Sequence, residues 1–145
     1  MEPGMNILLA VDGSPCTKRM LAYVAAHDEW LGGRHQYSIV TAVPAVTPRA
    51  SAVLDKDVLK AYYEEEAEKV LQPVRTFFER QVSTQAHFEI KVGPAAEQID
   101  AVVQQCKPDL LIMGSHGHGS LANVVMGSVA TQVLARTKVP VLLVR

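Results

Sequence analysis

The sequence is poor in cysteine: Cys16 and Cys106 are the only two in 145 residues, and neither has a CxxC neighbour. That excludes a disulfide framework and a thiolate zinc site, and it points to a reducing compartment. Positive charge is not in surplus either, since 14 basic and 15 acidic residues leave a formal net charge of −1. Binders of polyanions carry a basic excess, so no nucleic-acid partner is expected. No apolar run approaches the ~18 residues of a membrane span. Met1-Glu2-Pro3-Gly4-Met5 has neither the basic segment nor the apolar run of a secretory leader. A soluble, cytoplasmic chain with no membrane partner is expected. Catalytic signatures are also missing: there is no G-x4-G-K-S/T segment, no G-x-S-x-G elbow, and no acidic pair at the first strand with a later lysine.

What is present is an ordinary globular composition, 48% hydrophobic and 20% charged, at a length near the modal size of a domain. One domain over 1–145 is expected. Short β-branched runs alternate with longer segments whose apolar residues recur three or four apart, the pattern of a parallel sheet covered by helices. Strands are predicted at Ile7 to Val11, Tyr37 to Val43, His87 to Val92, Leu110 to Met113 and Val139 to Val144. Between them, Met20, Leu21, Val24 and Ala25 mark a first helix. A long helix runs from about Asp57 to Gln81, with Leu59, Tyr62, Glu66, Val70, Val74 and Phe77 on one face. Pro73 inside it predicts a kink or break near Gln72. A third helix spans Ala95 to Cys106, and Met126, Val129, Ala130 and Val133 mark a short fourth. The fold class is therefore α/β, a doubly wound open parallel five-stranded sheet in the order βαβαβαβαβ. The loop from Pro44 to Ala52 is the one stretch irregular enough to be mobile.

In such sheets ligands sit beyond the carboxyl ends of the strands, where neighbouring strands send the chain to opposite faces. Asp12-Gly13-Ser14 ends the first strand, and Gly114-Ser115-His116-Gly117-His118-Gly119-Ser120 follows the fourth. Placed side by side, those strands bring the two loops across one crevice. Glycines at 114, 117 and 119 allow positive φ and close backbone approach to phosphate oxygens. Gly127-Ser128 opens the fourth helix, whose free N–H groups and dipole favour anionic oxygens. His116 and His118 form a His-x-His pair with no cysteine or paired carboxylate nearby, so they read as loop histidines beside phosphates and no structural metal is expected. No residue is evident as a base to direct a water, so any hydrolysis would be slow.

Gly114-x2-Gly117-x9-Gly127-Ser128 resembles the G-x2-G-x9-G-S/T pattern of ATP-binding members of the universal stress protein family. Ile7 to Ser14 is similar to that family's first strand and turn, Pro108 to Ser115 to its fourth strand, and Val139 to Val144 to its last. The resemblance implies a Rossmann-like fold of the adenine nucleotide alpha hydrolase type. It places Asp12 at the ribose, Ala10 in the base pocket and the Val43 backbone at the adenine. Gly114, Gly117, Gly127 and Ser128 would carry the phosphates, with Ser115, His118, Gly119, Ser120 and Val129 close around them. Many members have Arg or Lys where this chain has His118. The expected ligand is ATP, or AMP or another adenine nucleotide, with any magnesium or manganese carried by the nucleotide. The resemblance also implies a homodimer through Val139 to Val144.

Three functions are compatible with this reading: a nucleotide-dependent stress-response or signalling module, an interaction protein of the same fold without nucleotide, and a slow ATPase or phosphotransferase.

Overall fold

The computed structural model describes residues 4–82, 86–117 and 125–145. Strand β1 (Asn6–Ala10) is followed by helix α1 (Pro15–Ala26), the short α2 (Asp28–Leu31) and β2 (Gln36–Val43). Next come α3 (Pro48–Val53) and α4 (Lys56–Phe77), which passes into a π-helical turn at Phe78–Val82. The chain closes with β3 (Ala86–Val92), α5 (Ala95–Cys106), β4 (Leu110–Gly114), α6 (Ser128–Arg136) and β5 (Val141–Val144). The strands form one parallel sheet in the order β3-β2-β1-β4-β5, the doubly wound arrangement expected from the alternating pattern.

Strand β1 lies at the centre because it is apolar on both faces, and it divides its side chains between two cores. Ile7, Leu9 and Val11 pack with Met20 and Val24 of α1 and with Leu71 and Val74 of α4. Leu8 and Ala10 pack with Ile99, Val102 and Val103 of α5 and with Ala130 and Val133 of α6. The α1/α4 and α5/α6 pairs therefore cover opposite faces. Tyr37 of β2 is buried in the first of these cores, and its hydroxyl donates to the carbonyls of Leu31 and Gly32, which ties α2 to the sheet. Burial, helped by Asp28, pushes that hydroxyl up to about 12.

Helix α4 departs from the sequence reading in two ways. It runs unbroken through Pro73, whose exposed position lets water satisfy the Lys69 carbonyl that loses its donor; the irregular turn comes later, at Phe78. The buried stripe is Ala67, Leu71, Val74 and Phe78, so Tyr62 is 43% exposed instead of facing the core. Ala67 sets this phase: it is weakly hydrophobic and easily undervalued in a periodicity count, yet small enough to be wholly buried. Glu66 is consequently a flanking residue, paired with Lys69 at 3.2 Å. The stretch from Pro44 to Ala52, expected as an irregular loop, contains the start of α3, with the Thr47 side chain accepting the Ala50 N–H at 3.2 Å. The last strand is shorter than expected and begins at Val141, although the Pro140 carbonyl still accepts the Leu111 N–H at 2.9 Å.

Candidate functional site

Strands β1 and β4 are neighbours in register, with Ala10 opposite Met113. After β1 the chain turns into α1 on one face, and after β4 it continues toward α6 on the other. A crevice must open where they part. It is a cavity of about 530 Å³ at the carboxyl ends of the strands.

The first wall is the turn after β1. Gly13 adopts φ +76°, a left-handed value that suits glycine. This turn lets the Asp12 Oδ1 accept both the Ser14 N–H at 2.9 Å and the Thr17 hydroxyl at 3.1 Å. Thr17 in turn accepts the Asp12 N–H at 3.2 Å, so the carboxylate is fixed before any ligand arrives. Ser14 is the N-cap of α1 but does not cap it with its side chain. Its Oγ is buried, has no hydrogen-bond partner among the described residues, and belongs to a residue that lines the cavity.

The second wall is the segment after β4. Gly114 and Gly117 do not take positive φ, contrary to the expectation, and neither does Gly127, which is extended at φ −73°. Space is the constraint instead. A Cβ on Gly114 would stand 2.5 Å from the Cys16 Cβ, and one on Gly117 would stand 2.8 Å from Asp12 Oδ2. At Gly127 it would meet the Ser115 carbonyl oxygen at 3.2 Å and the His116 Cα at 3.3 Å. The two loops thus meet where Gly117 faces Asp12, and a side chain there would have to displace the carboxylate.

The third wall is α6. Its first internal bond runs from the Thr131 N–H to the Gly127 carbonyl at 3.0 Å, so the N–H groups of Ser128, Val129 and Ala130 precede the helix ladder. All three residues line the cavity. Val40, Ala42, Ala95, Ile99, Met113 and Met126 supply an apolar part of its lining. An elongated ligand with a flat apolar end and an anionic end matches this division.

Of the residues named from the sequence, the cavity brings together Ala10, Asp12, Gly114, Ser115, Gly117, Gly127, Ser128 and Val129. Val43 is not among its lining residues: its carbonyl accepts the Gly93 N–H at 2.9 Å, and Ala42 holds the place on β2 instead. His118, Gly119 and Ser120 lie outside the described residues. Ser14, Thr17, Ile99 and Met113 were not anticipated. Ser14 had a signal in its place after Asp-Gly, whereas Ile99 and Met113 look like any core residue in sequence.

Ser115 and His116 are joined, with Oγ 2.9 Å from Nδ1. Both cysteines are free. Burial, with Glu89 second, raises the Cys106 thiol, which makes it a poor nucleophile. No group of three potential metal ligands occurs among the described residues. None of the described helices is long and apolar enough to cross a membrane.

Comparison with known proteins places this geometry in context. The Universal stress protein family matches residues 5–145. A universal stress protein of Thermus aquaticus is 32% identical over 140 residues, covering 97% of this chain and 98% of that one. One from Synechocystis sp. is also 32% identical over 140 residues, but the chain spans only 42% of its length. Universal stress protein UspA from Lactobacillus plantarum superposes with a TM-score of 0.76 at 20% identity, over the whole of both chains. An Archaeoglobus fulgidus universal stress protein solved with dAMP gives 0.67 at 18% identity, covering 99% of this chain and all of that one. An Arabidopsis thaliana family protein with AMP bound gives 0.68 at 14%, covering 97% and 90%.

Proposed function

The chain belongs to the universal stress protein family, and from that premise we propose that its crevice binds an adenine nucleotide, ATP in the first place, as a switchable binding module. The observation that carries this reading is the meeting of Asp12 and Gly117. A pre-fixed carboxylate faces a glycine loop across a gap too narrow for a side chain, with an apolar recess on one side and the start of α6 on the other. In this reading Asp12 accepts a ribose hydroxyl, and Ala10, Val40 and Ala42 enclose the base. The Gly117 backbone, Gly127 and the first turn of α6 hold the phosphates, with His118, Gly119 and Ser120 nearby. Any magnesium or manganese arrives on the nucleotide. The Ser14 hydroxyl, lacking a partner among the described residues, is a further group that a polar ligand in the cavity satisfies. The nucleotide state acts in the cytoplasm on assembly or partner choice during stress response or signalling.

Calorimetric titration with ATP, AMP and cyclic AMP tests the site, and Asp12→Ala is expected to weaken binding by about 1.5–3 kcal/mol, a charge-assisted hydrogen bond. Absence of binding by all three nucleotides would favour the nucleotide-free interaction protein.

The module is proposed to act as a homodimer through β5. That strand ends the sheet order, so one side of its backbone has no strand partner among the described elements, and all four of its residues are only half-buried. Antiparallel pairing with the same strand of a second copy about a two-fold axis satisfies the edge. Val141→Lys and Leu142→Pro are expected to give monomers in sedimentation velocity. A monomeric wild type, or a dimer indifferent to both changes, refutes the interface.

A further inference from the structure

We propose that the concavity at the carboxyl ends of α5 and α6 is a binding site for a small, multiply charged oxyanion, a bisphosphate or a polycarboxylate. Its volume is about 420 Å³, well above that of a single inorganic ion and within the range of small-molecule sites. Helix α6 opens at the crevice already described and closes here, so the two sites stand about 13 Å apart, the length of its nine residues. The inference does not depend on the nucleotide reading.

Three cations line this concavity, Lys107, Arg136 and Lys138, and no acidic side chain does so among the described residues. Lys107 follows α5, whereas Arg136 and Lys138 lie at the end of α6 beyond β4, so only the fold brings them together. Lys107 and Lys138 have no ion pair among the described residues. Arg136 has one, with Glu97 at 3.9 Å, and an exposed pair at that separation is weak. Asp109, close by in sequence, is turned to β1, where it accepts the Asn6 N–H at 2.8 Å.

The three charged side chains are exposed around a buried floor of Val103, Pro108 and Thr137. The Thr137 hydroxyl oxygen accepts the Val139 N–H at 3.4 Å, which leaves its proton as a donor, and the Gln104 amide adds two more. Cations and donors without a carboxylate select oxyanions. The net charge of −1 argues against a long polyanion, but a small ligand responds to the local field. The apolar floor suits the carbon body of an organic anion.

Balancing helix dipoles does not account for the cluster. The carbonyl ends of α5 and α6 each favour one cation, which Lys107 and Arg136 supply; Lys138 is in excess and lies outside both helices. The backbone of Lys107 is a second, independent observation. At φ +47° it is the one residue other than glycine in the left-handed region among the described residues. The turn requires that conformation, since the Lys107 N–H donates to the Val103 carbonyl at 2.9 Å to end the helix. Glycine adopts it without strain and is the usual residue at such a position. Lysine there bears strain and places a cationic side chain on the wall of the cavity, and strain of this kind collects at ligand sites.

Calorimetry of the full chain at low salt, with sodium pyrophosphate and with citrate, tests the site, and amide NMR locates the binding. At least one of the two anions should bind and shift the amides of Gln104, Lys107, Thr137 and Lys138; which one binds identifies the class of oxyanion. The affinity should fall as salt is raised, because the cations are exposed. Lys107→Gly and Lys138→Glu should each weaken binding by about 10-fold or more, the loss of a charge-assisted contact. Lys107→Gly should melt no lower than wild type, since glycine relieves the left-handed turn. A lysine retained for stability alone would instead give a lower melting temperature and unchanged binding, which overturns the proposal. Binding of neither anion also overturns it, as does binding that shifts only the amides around Gly117 and Gly127 or that survives both substitutions.

Discussion

Gly117→Val is expected to lose nucleotide binding by at least about 10²-fold, roughly 2.8 kcal/mol, while the chain stays folded. The reason is local. A Cβ at 117 would stand 2.8 Å from Asp12 Oδ2, with no second neighbour within 4 Å among the described residues. The carboxylate is the far end of a side chain and can swing aside, so the fold survives. Swinging it breaks its bonds to Ser14 and Thr17 and moves the acceptor away from the ribose. The valine methyls then fill the gap between the two loops. Gly127→Val should also lose affinity by a different route, since its Cβ would press on the Ser115 carbonyl and the His116 Cα, which are backbone and must shift as a unit. Titration calorimetry with thermal melts separates the two effects. Undiminished affinity in both variants would rule out the proposed cradle.

Gly114→Ala should have the opposite profile, destabilising the chain by about 2–3 kcal/mol, the cost of overpacking. Its Cβ would lie 2.5 Å from the Cys16 Cβ, which is fixed to the backbone of α1 and has no rotamer to escape into. The strand β4 and the helix α1 must separate, and both carry core residues. Cys16→Gly removes the obstructing carbon, so the double variant should recover much of the loss beyond the ~1 kcal/mol that glycine costs in a helix. Cys16→Ala, which keeps the Cβ, should not rescue. Equal melting temperatures for Gly114→Ala with and without Cys16→Gly would show that the contact is not limiting.

The two glycines differ although the motif treats them alike. The family resemblance grouped 114, 117 and 127, and positive φ, expected at 114 and 117, is not what constrains those two. In the first loop it is Gly13 that takes a positive φ, in the turn that orients Asp12. The contact of Gly114 with Cys16 joins residues about a hundred positions apart. No local pattern carries such a distance.

Helix α4 gives the complementary lesson. Its existence and extent were plain from the recurrence of apolar residues, whereas its rotation was wrong by about one residue because Ala67 contributes little to any hydrophobic count. The structure decides such a case by volume. The residue that fits against the sheet is buried, and Tyr62 is left 43% exposed. Val43 is a similar case: it ends β2 as expected, but its carbonyl is taken by Gly93 and the cavity is lined by Ala42.

By itself the sequence determined the class of fold, the order of its strands and four main helices, and the two polar loops in which chemistry could reside. These follow from periodicity, turn chemistry and composition, which act over a few residues at a time. Tertiary structure alone decided that β1 and β4 are neighbours, that Asp12 meets Gly117, and that Ser115 and His116 turn toward each other. Consecutive residues on a strand point to opposite faces, so a Ser-His pair carries no signal until the bend after Gly114 brings Oγ and Nδ1 together. Contacts between distant segments depend on packing the whole sheet and its four main helices, and that packing is settled by volume and burial rather than by any local preference.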